Sequence, residues 1–296
     1  MTAVRSAVSP MRVERPGTVA EAVAFLAAHP DEGWKPIAGG TDLMVLINNG
    51  PSPGARWLDL WRLRRELGGV RPEPGGWVVG GLTTMTELRR AASAWPEFPR
   101  ALARAASVVG GIQIQNRATV AGNIVNASPA GDTLPVWAVL EAMITLRSVR
   151  GERQVPFLDL YRGYRDLDLA PDELLVSIRF PTLEPPLFFH KVGTRAAQAI
   201  SKVVLAGSVR RAGGRFHGVR LAAGSVAPTP VRLRTVEAAL AGATVTPVTV
   251  DRALAGLDQD IAPIDDIRST GSYRILVTRN LLRHYLLNPD WPAGQG

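Results

Sequence analysis

Residues 36–43 read Pro36-Ile37-Ala38-Gly39-Gly40-Thr41-Asp42-Leu43. The apolar residues that flank this run predict a short buried strand over 34–37 and a short helix over 43–47. A glycine turn between a strand and a helix exposes backbone N–H groups, and the helix dipole favours negative charge there. The run therefore predicts an anion site, although a simple turn explains the spacing of the glycines equally well.

A second glycine-rich segment lies later in the chain, and its residues read Thr119-Val120-Ala121-Gly122-Asn123, then Asn126-Ala127-Ser128-Pro129-Ala130-Gly131-Asp132. Residues 108–135 show little periodicity, and a long irregular segment inside a compact domain usually has a function. Together the two loops are predicted to hold a pyrophosphate from two sides. Neither loop matches the G-x-G-x-x-G or P-loop pattern, so a Rossmann dinucleotide site and a P-loop nucleotide hydrolase are disfavoured.

The rest of the chain predicts a mixture of helices and strands. Thr18 and Glu21 have capping-box spacing ahead of a helix that ends at Ala28, and Thr84 and Glu87 repeat that spacing. Breaks are predicted near residue 52 and at Pro185-Pro186. Further strands are predicted over 56–60, 77–80, 143–147, 174–180, 188–192, 203–210 and 219–223. Further helices are predicted through residue 94 and over 99–107, 133–140, 231–241, 249–255 and 272–287.

Composition excludes several classes of protein. The 296 residues include no cysteine, which excludes disulfides, thiolate metal sites, a cysteine nucleophile and an iron–sulfur cluster held by this chain. The net charge is +8, but the basic residues are scattered, which favours a solvated surface over nucleic-acid binding. No run of eighteen apolar residues and no apolar signal region is present, so a cytoplasmic protein without a membrane span is expected.

Other chemistry-bearing residues give weaker signals. The four histidines show no metal-ligand spacing, and Ser128 does not lie in a nucleophile elbow. Asp132, Asp265 and Asp266 are more typical of helix caps than of a cation site. Lys191 is either an ordinary surface charge or a cation placed near a phosphate or a flavin.

Several motifs, in the same order, resemble the FAD-binding medium subunits of the xanthine dehydrogenase and carbon monoxide dehydrogenase family. The likeness runs from about residue 12 to 288 and includes both glycine-rich loops. The carboxyl-terminal motifs that carry it are Lys191-Val192-Gly193-Thr194-Arg195, Ala199-Ile200-Ser201-Lys202-Val203 and Gly224-Ser225-Val226-Ala227-Pro228-Thr229-Pro230. Because several motifs agree in register, their combination is far more specific than any one of them.

The resemblance implies an α+β fold with a two-subdomain FAD-binding domain of the vanillyl-alcohol-oxidase (PCMH) type. A small carboxyl-terminal α+β domain would follow, with a three-stranded sheet and helices. The expected divisions are residues 1–54 for the first FAD-binding subdomain, 55–182 for the second, and 187–289 for the carboxyl-terminal domain.

The resemblance also implies roles for individual residues. The 36–43 loop and residues 119–123 would wrap the FAD pyrophosphate and ribityl chain, and Val109 and Gly110 would lie along the cofactor. Asp132 would bind the nucleotide portion, Leu175 would contact the adenine region, and Lys191 would approach the isoalloxazine. One departure is Ala121, where the family usually has glycine. An alanine fits there only if its φ is negative.

The expected function is electron transfer within a molybdenum hydroxylase. FAD would receive electrons from [2Fe-2S] clusters on a small partner subunit, while a large molybdopterin subunit would oxidise the substrate, the whole forming a dimer of heterotrimers. No catalytic acid or base and no metal ligand is expected in this chain. A stand-alone FAD-dependent oxidase or reductase is the alternative. The substrate and the acceptor, whether NAD, a quinone, a redox protein or dioxygen, stay open.

Overall fold

The computed structural model describes residues 11–48, 56–184 and 187–288. The breaks predicted near residue 52 and at Pro185-Pro186 lie outside these ranges. Three main sheets organise the described residues, and a two-stranded ribbon adds to them. Within the same ranges, no helix is both long enough and apolar enough to cross a membrane.

The first unit is a small parallel sheet with two helices. Its elements are β1 (Arg12–Glu14), α1 (Val19–Ala28), β2 (Trp34–Ile37), α2 (Thr41–Asn48) and β3 (Arg56–Asp59). The strands lie in the order β1-β3-β2 and run parallel. Helix α1 buries its residues at three- and four-residue spacing, as an amphipathic helix does: Val19, Ala22, Val23 and Leu26.

The start of α1 corrects one detail of the sequence analysis. Thr18 accepts a hydrogen bond from the Glu21 amide at 3.1 Å, as predicted. The Glu21 carboxylate, however, accepts from the Gly17 amide at 2.7 Å rather than from Thr18, so the capping box is not reciprocal. Thr84 and Glu87 do form the reciprocal box.

The second unit contains a five-stranded antiparallel sheet in the order β4-β5-β10-β6-β7. Its elements are α3 (Arg64–Leu67), β4 (Val70–Glu73), β5 (Gly76–Gly80), α4 (Met85–Ala94), α5 (Arg100–Ser107), α6 (Ile112–Gln115), α7 (Val120–Val125), α8 (Leu134–Val139), β6 (Met143–Ser148), β7 (Gly151–Pro156), β8 (Tyr161–Gly163), β9 (Asp166–Leu167) and β10 (Leu174–Pro181). Strand β10 lies at the centre. Its Leu174 and Val176 pack towards α1, while Ile178 and Phe180 pack among the helices of this unit.

The third unit is an antiparallel sheet with helices on one side. Its elements are β11 (Phe188–Val192), β12 (Val203–Ala212), β13 (Arg215–Gly224), β14 (Val231–Arg232), α9 (Arg234–Leu240), α10 (Pro247–Leu254) and α11 (Gly271–Leu287). Val204 and Ala206 of β12 face the core of the second unit, against α8, and Val203 and Leu205 face α9 to α11. Because side chains alternate along a strand, this sheet is buried on both faces.

Two segments differ from the sequence expectation. Residues 108–135, predicted to be irregular, contain the short helices α6 and α7, which are too brief to show a helical period. The helix predicted over 231–241 begins later, because Val231 and Arg232 pair with β13 as an edge strand. The expected three-stranded sheet therefore carries a fourth, two-residue strand.

Candidate functional site

The first glycine loop connects the end of β2 at Ile37 to the start of α2 at Thr41. Gly40 has a φ of +76°, a backbone region that favours glycine. The amides of Gly39, Gly40 and Thr41 make no hydrogen bond to another described residue, as expected where a helix begins. The loop therefore presents open N–H groups at a helix amino terminus, which is the donor set that a phosphate group requires.

The second glycine loop packs directly against the first. A Cβ atom on Gly39 would lie 1.9 Å from the Arg117 carbonyl oxygen, so only glycine permits this approach. Arg117 Nε donates to the Gly39 carbonyl at 3.3 Å, and the guanidinium lies 3.7 Å from the centre of the Trp61 ring. Asn126 Nδ2 donates to Asp42 Oδ1 at 3.1 Å. These contacts fix the separation of the two loops.

The second loop uses its own backbone donors within the protein. Thr119 is the N-cap of α7. Each of the next four amides already has an acceptor, at 2.8 to 3.1 Å: Val120 N donates to Thr83 O, Ala121 N to Gly81 O, Gly122 N to the Thr119 hydroxyl and Asn123 N to Thr119 O. The second loop therefore offers a ligand its surface and its side chains rather than free N–H groups.

Asn123 supplies the clearest side-chain donor of this loop. Thr133 Oγ1 donates to Asn123 Oδ1 at 2.6 Å, and Trp137 Nε1 donates to Thr133 Oγ1 at 3.2 Å. These bonds orient the Asn123 amide and leave its NH2 group without a partner among the described residues. The NH2 group can therefore donate to a ligand between the loops.

Ala121 fits its position without backbone strain. It lies in the first turn of α7 and is not among the described residues with positive φ, so the condition for an alanine there is met. A Cβ atom added to Gly81 would lie 3.2 Å from the Ala121 Cβ and 2.4 Å from the Leu175 carbonyl oxygen. Gly81 thus makes room for the Ala121 methyl group and brings Leu175 next to the second loop.

A buried ion pair lies beside these loops. Lys191 Nζ is 2.7 Å from Asp132 Oδ2 and donates to the Val108 carbonyl at 2.9 Å, while Ser201 Oγ donates to Asp132 Oδ1 at 2.5 Å. The Lys191 and Asp132 side chains are only 10% and 9% exposed. Burial raises the pKa of Asp132, and its bonds to Lys191 and Ser201 act in the opposite direction.

The structure brings the sequence-predicted residues into one connected set. The 36–43 loop contacts Arg117 and Asn126, which flank the 119–123 loop. That loop is joined through Thr133 to Asp132 and through Gly81 to Leu175. Lys191 reaches the carbonyl that precedes Val109 and Gly110. Sequence reasoning did not identify Gly81, Thr133 or Ser201 as parts of the site. The sequence pointed only to Thr133 and Ser201, because Thr133 lies in the irregular segment 108–135 and Ser201 lies in the family motif at 199–203.

Comparison with known proteins shows the family. Residues 9–183 match the FAD binding domain in molybdopterin dehydrogenase, and residues 188–288 match the CO dehydrogenase flavoprotein C-terminal domain. The chain is 30% identical to the xanthine dehydrogenase FAD-binding subunit of Escherichia coli O157:H7, over 95% of this chain and 96% of that protein. This chain belongs to the FAD-binding medium subunits of the molybdenum hydroxylase family.

Other members support the same assignment. The carbon monoxide dehydrogenase medium chain of Hydrogenophaga pseudoflava is 27% identical, over 93% of this chain and 95% of that one. A solved carbon monoxide dehydrogenase structure from that organism superposes with a TM-score of 0.85 at 26% identity, covering 94% of this chain and 96% of the other. The expected α+β fold with a PCMH-type FAD-binding domain is confirmed, and the chain is an oxidoreductase subunit.

The residues present fit an FAD pyrophosphate. The first-loop amides that have no acceptor among the described residues lie at the amino terminus of an eight-residue helix, and Arg117 holds the Gly39 carbonyl of the same loop. A dinucleotide pyrophosphate is a dianion, which such a helix end favours. Among the described residues, no group of three or more histidines and carboxylates is arranged to hold a metal ion.

Proposed function

We propose that this chain binds FAD between the 36–43 and 119–123 loops. In this proposal, the chain is an electron-transfer subunit that would hold FAD between the [2Fe-2S] clusters of a partner subunit and an external acceptor. The observation that carries the proposal is the set of backbone amides at Gly39, Gly40 and Thr41, which have no acceptor among the described residues and lie in a loop held by Arg117 and Asn126. When bound, FAD supplies the redox chemistry that no side chain of this chain provides.

The residues of the chain bind and orient the cofactor. The first loop holds the pyrophosphate through backbone N–H groups, and the Asn123 amide adds a side-chain donor. Val109 and Gly110 lie along the cofactor, and Leu175 contacts the adenine region.

Lys191 and Asp132 act together in this proposal. Their ion pair places the Lys191 ammonium at the Val108 carbonyl, beside the Val109–Gly110 segment along the cofactor. Because the Asp132 oxygens bind Lys191 and Ser201, Asp132 supports the cofactor site mainly through the lysine that it holds. Lys191 in turn would place its ammonium group near the isoalloxazine, where positive charge would stabilise the reduced cofactor.

The partners we propose are a small iron–sulfur subunit and a large molybdopterin subunit, assembled as a dimer of heterotrimers. A relative of nearly equal length is a medium chain of carbon monoxide dehydrogenase, which supports an assembly of this kind. Substrate oxidation would take place on the molybdopterin subunit, so this chain needs no general acid or base. We also propose the division into residues 1–54, 55–182 and 187–289. The family matches, which end at 183 and begin at 188, support only the second of these boundaries.

Purification of the tagged chain from its native host tests this function. We expect a yellow complex that contains FAD, a cysteine-rich iron–sulfur chain and a large molybdopterin chain, identified by mass spectrometry. Addition of the substrate of the complex should reduce the iron–sulfur clusters of the partner subunit, and the flavin absorbance should then bleach. A yellow chain that purifies alone and turns over by itself would instead indicate a stand-alone oxidase or reductase. A colourless complex would contradict the proposal.

A further inference from the structure

A chain of two hydrogen bonds runs from the core of the second unit to the second glycine loop. Trp137 Nε1 donates to Thr133 Oγ1 at 3.2 Å, and Thr133 Oγ1 donates to Asn123 Oδ1 at 2.6 Å. Thr133 precedes helix α8 and Trp137 lies within it, and both residues are fully buried. Asn123 lies in α7 and is half-buried. The chain of bonds therefore connects a residue that can meet a ligand to two residues that solvent does not reach.

The indole nitrogen decides the direction of both bonds. An indole N–H can only donate, whereas a hydroxyl carries one proton and can also accept. Because Thr133 Oγ1 accepts from Trp137, its single proton is left for the next partner, and the only acceptor that it has among the described residues is Asn123 Oδ1. If the Asn123 amide were reversed, its NH2 group would donate to Thr133, and the buried hydroxyl proton would lose its acceptor, which is costly. The Asn123 carbonyl oxygen must therefore face Thr133.

The surroundings of Trp137 hold the indole in place. Its ring packs edge-on against Phe180, with the ring centres 5.6 Å apart. All six residues of α8 are buried. At the far end of this helix, Arg232 Nη1 of the third unit donates to the Ala138 carbonyl at 3.3 Å. Because a close-packed core resists rotation of a large side chain, the indole N–H stays directed at Thr133.

We infer that Thr133 and Trp137 are positioning residues for the cofactor, a role that rests on the proposed binding of FAD. Both act only through Asn123. Their bonds oblige the Asn123 amide to turn its NH2 group, which can only donate, towards the ligand. The position therefore selects a hydrogen-bond acceptor, such as an oxygen of the FAD pyrophosphate or ribityl chain, and a buried tryptophan that never touches the cofactor determines this preference.

Titration of FAD into the native complex, after removal of its flavin, tests this role. Thr133→Val removes the hydroxyl and should weaken FAD binding by roughly threefold to tenfold, the equivalent of one hydrogen bond, whereas Thr133→Ser keeps the hydroxyl and should bind FAD as the wild type does. Trp137→Phe should cause a loss of similar size.

The matched control is Trp77→Phe. Trp77 is buried in the same core, but its Nε1 has no hydrogen-bond partner among the described residues, so this variant loses an indole without losing a bond. Its FAD affinity should not change. In the double variant Thr133→Val with Trp137→Phe, FAD binding should be no weaker than in Thr133→Val alone, because the indole then has no hydroxyl to act on.

Losses that do not add support the inference. Losses of Thr133→Val and Trp137→Phe that add in the double variant, or an equal loss in Trp77→Phe, would overturn it, because the tryptophan would then act through core packing alone. If Trp137→Phe does not fold, Thr133→Val and Thr133→Ser still decide, since only serine keeps the hydroxyl. Unchanged FAD affinity in Thr133→Val would overturn the role of these residues alone, whereas a wild-type complex that binds no FAD would overturn the proposed function as well.

Discussion

Asp132 and Lys191 form a buried ion pair, with Nζ 2.7 Å from Oδ2, that joins the second unit of the chain to the third. Asp132 follows the second glycine loop, whereas Lys191 belongs to β11. Ser201 and the Val108 carbonyl complete the hydrogen bonding of the pair. The pair therefore fixes the carboxyl-terminal sheet against the region that we assign to the flavin.

Removal of one partner should destabilise the protein strongly. Asp132→Ala would leave the Lys191 ammonium buried without a counter-charge, and such a change typically costs about 3–5 kcal/mol. Urea unfolding of the wild type and the variant measures the difference. The control is Asp251→Ala, which breaks the exposed pair with Arg283 and should cause no measurable change. If the two substitutions lowered the free energy of unfolding equally, the buried pair would stabilise the protein no more than an exposed pair does.

Gly39→Ala should prevent the two glycine loops from approaching each other. The added methyl group would lie 1.9 Å from the Arg117 carbonyl oxygen, so the first loop must move away. We expect a folded protein that has lost most of its FAD, measured by flavin absorbance and circular dichroism. Gly163→Ala is the matched control, because a Cβ there has no neighbour within 4 Å. Normal FAD content in Gly39→Ala would contradict the assigned role of this contact.

Ala121→Gly should restore the residue usual in the family without a gain in flavin binding. Ala121 already has a helical backbone, and its methyl group fits against Gly81. Glycine in a helix costs roughly 0.5–1 kcal/mol relative to alanine, so the variant should be slightly less stable at the same FAD affinity. Flavin titration of the apoprotein and urea unfolding measure both quantities. A clear rise in FAD affinity would show that the methyl group obstructs the cofactor.

Glu173 predicts an acid-dependent loss of stability. Arg153 donates to both of its carboxylate oxygens, at 2.7 and 2.8 Å, and this pairing lowers the pKa of Glu173 from its ordinary value of 4.5. As the pH falls, Glu173 is therefore protonated in the unfolded chain before it is protonated in the folded protein. The stabilisation from its pairing with Arg153 is present above pH 4.5 and is lost below it.

The comparison of wild type with Glu173→Gln over pH 3 to 6 measures this effect. The difference in unfolding free energy between them should be largest near pH 6 and should shrink below pH 4.5. Glu97→Gln, which removes an exposed carboxylate, controls for the loss of one negative charge. A difference that stays constant over this range would contradict the assigned pairing of Glu173 with Arg153.

The sequence predicted the positions of the glycine loops because their residues carry local signals. A strand, a glycine turn and a helix follow one another at 34–48, and the second loop was marked by its glycines and by the lack of periodicity over 108–135. The hydrogen bonds of the second loop were not predictable. They depend on Gly81 and Thr83, which lie some forty residues away in the sequence and show no pattern of their own.

The edges of the fold were also harder to predict than its centre. Strand β10 was predicted because its apolar residues form a long run, whereas the short strands β1, β8 and β14 have too few residues to show a period.

FAD content of the purified native complex tests the flavin site most directly. The complex should be denatured, and the released flavin identified and quantified by chromatography against the amount of this chain. We predict stoichiometric FAD in the wild type and in Gly163→Ala, and little in a folded Gly39→Ala variant. A wild-type complex without FAD, or a Gly39→Ala variant that keeps all of it, would contradict the proposed binding site.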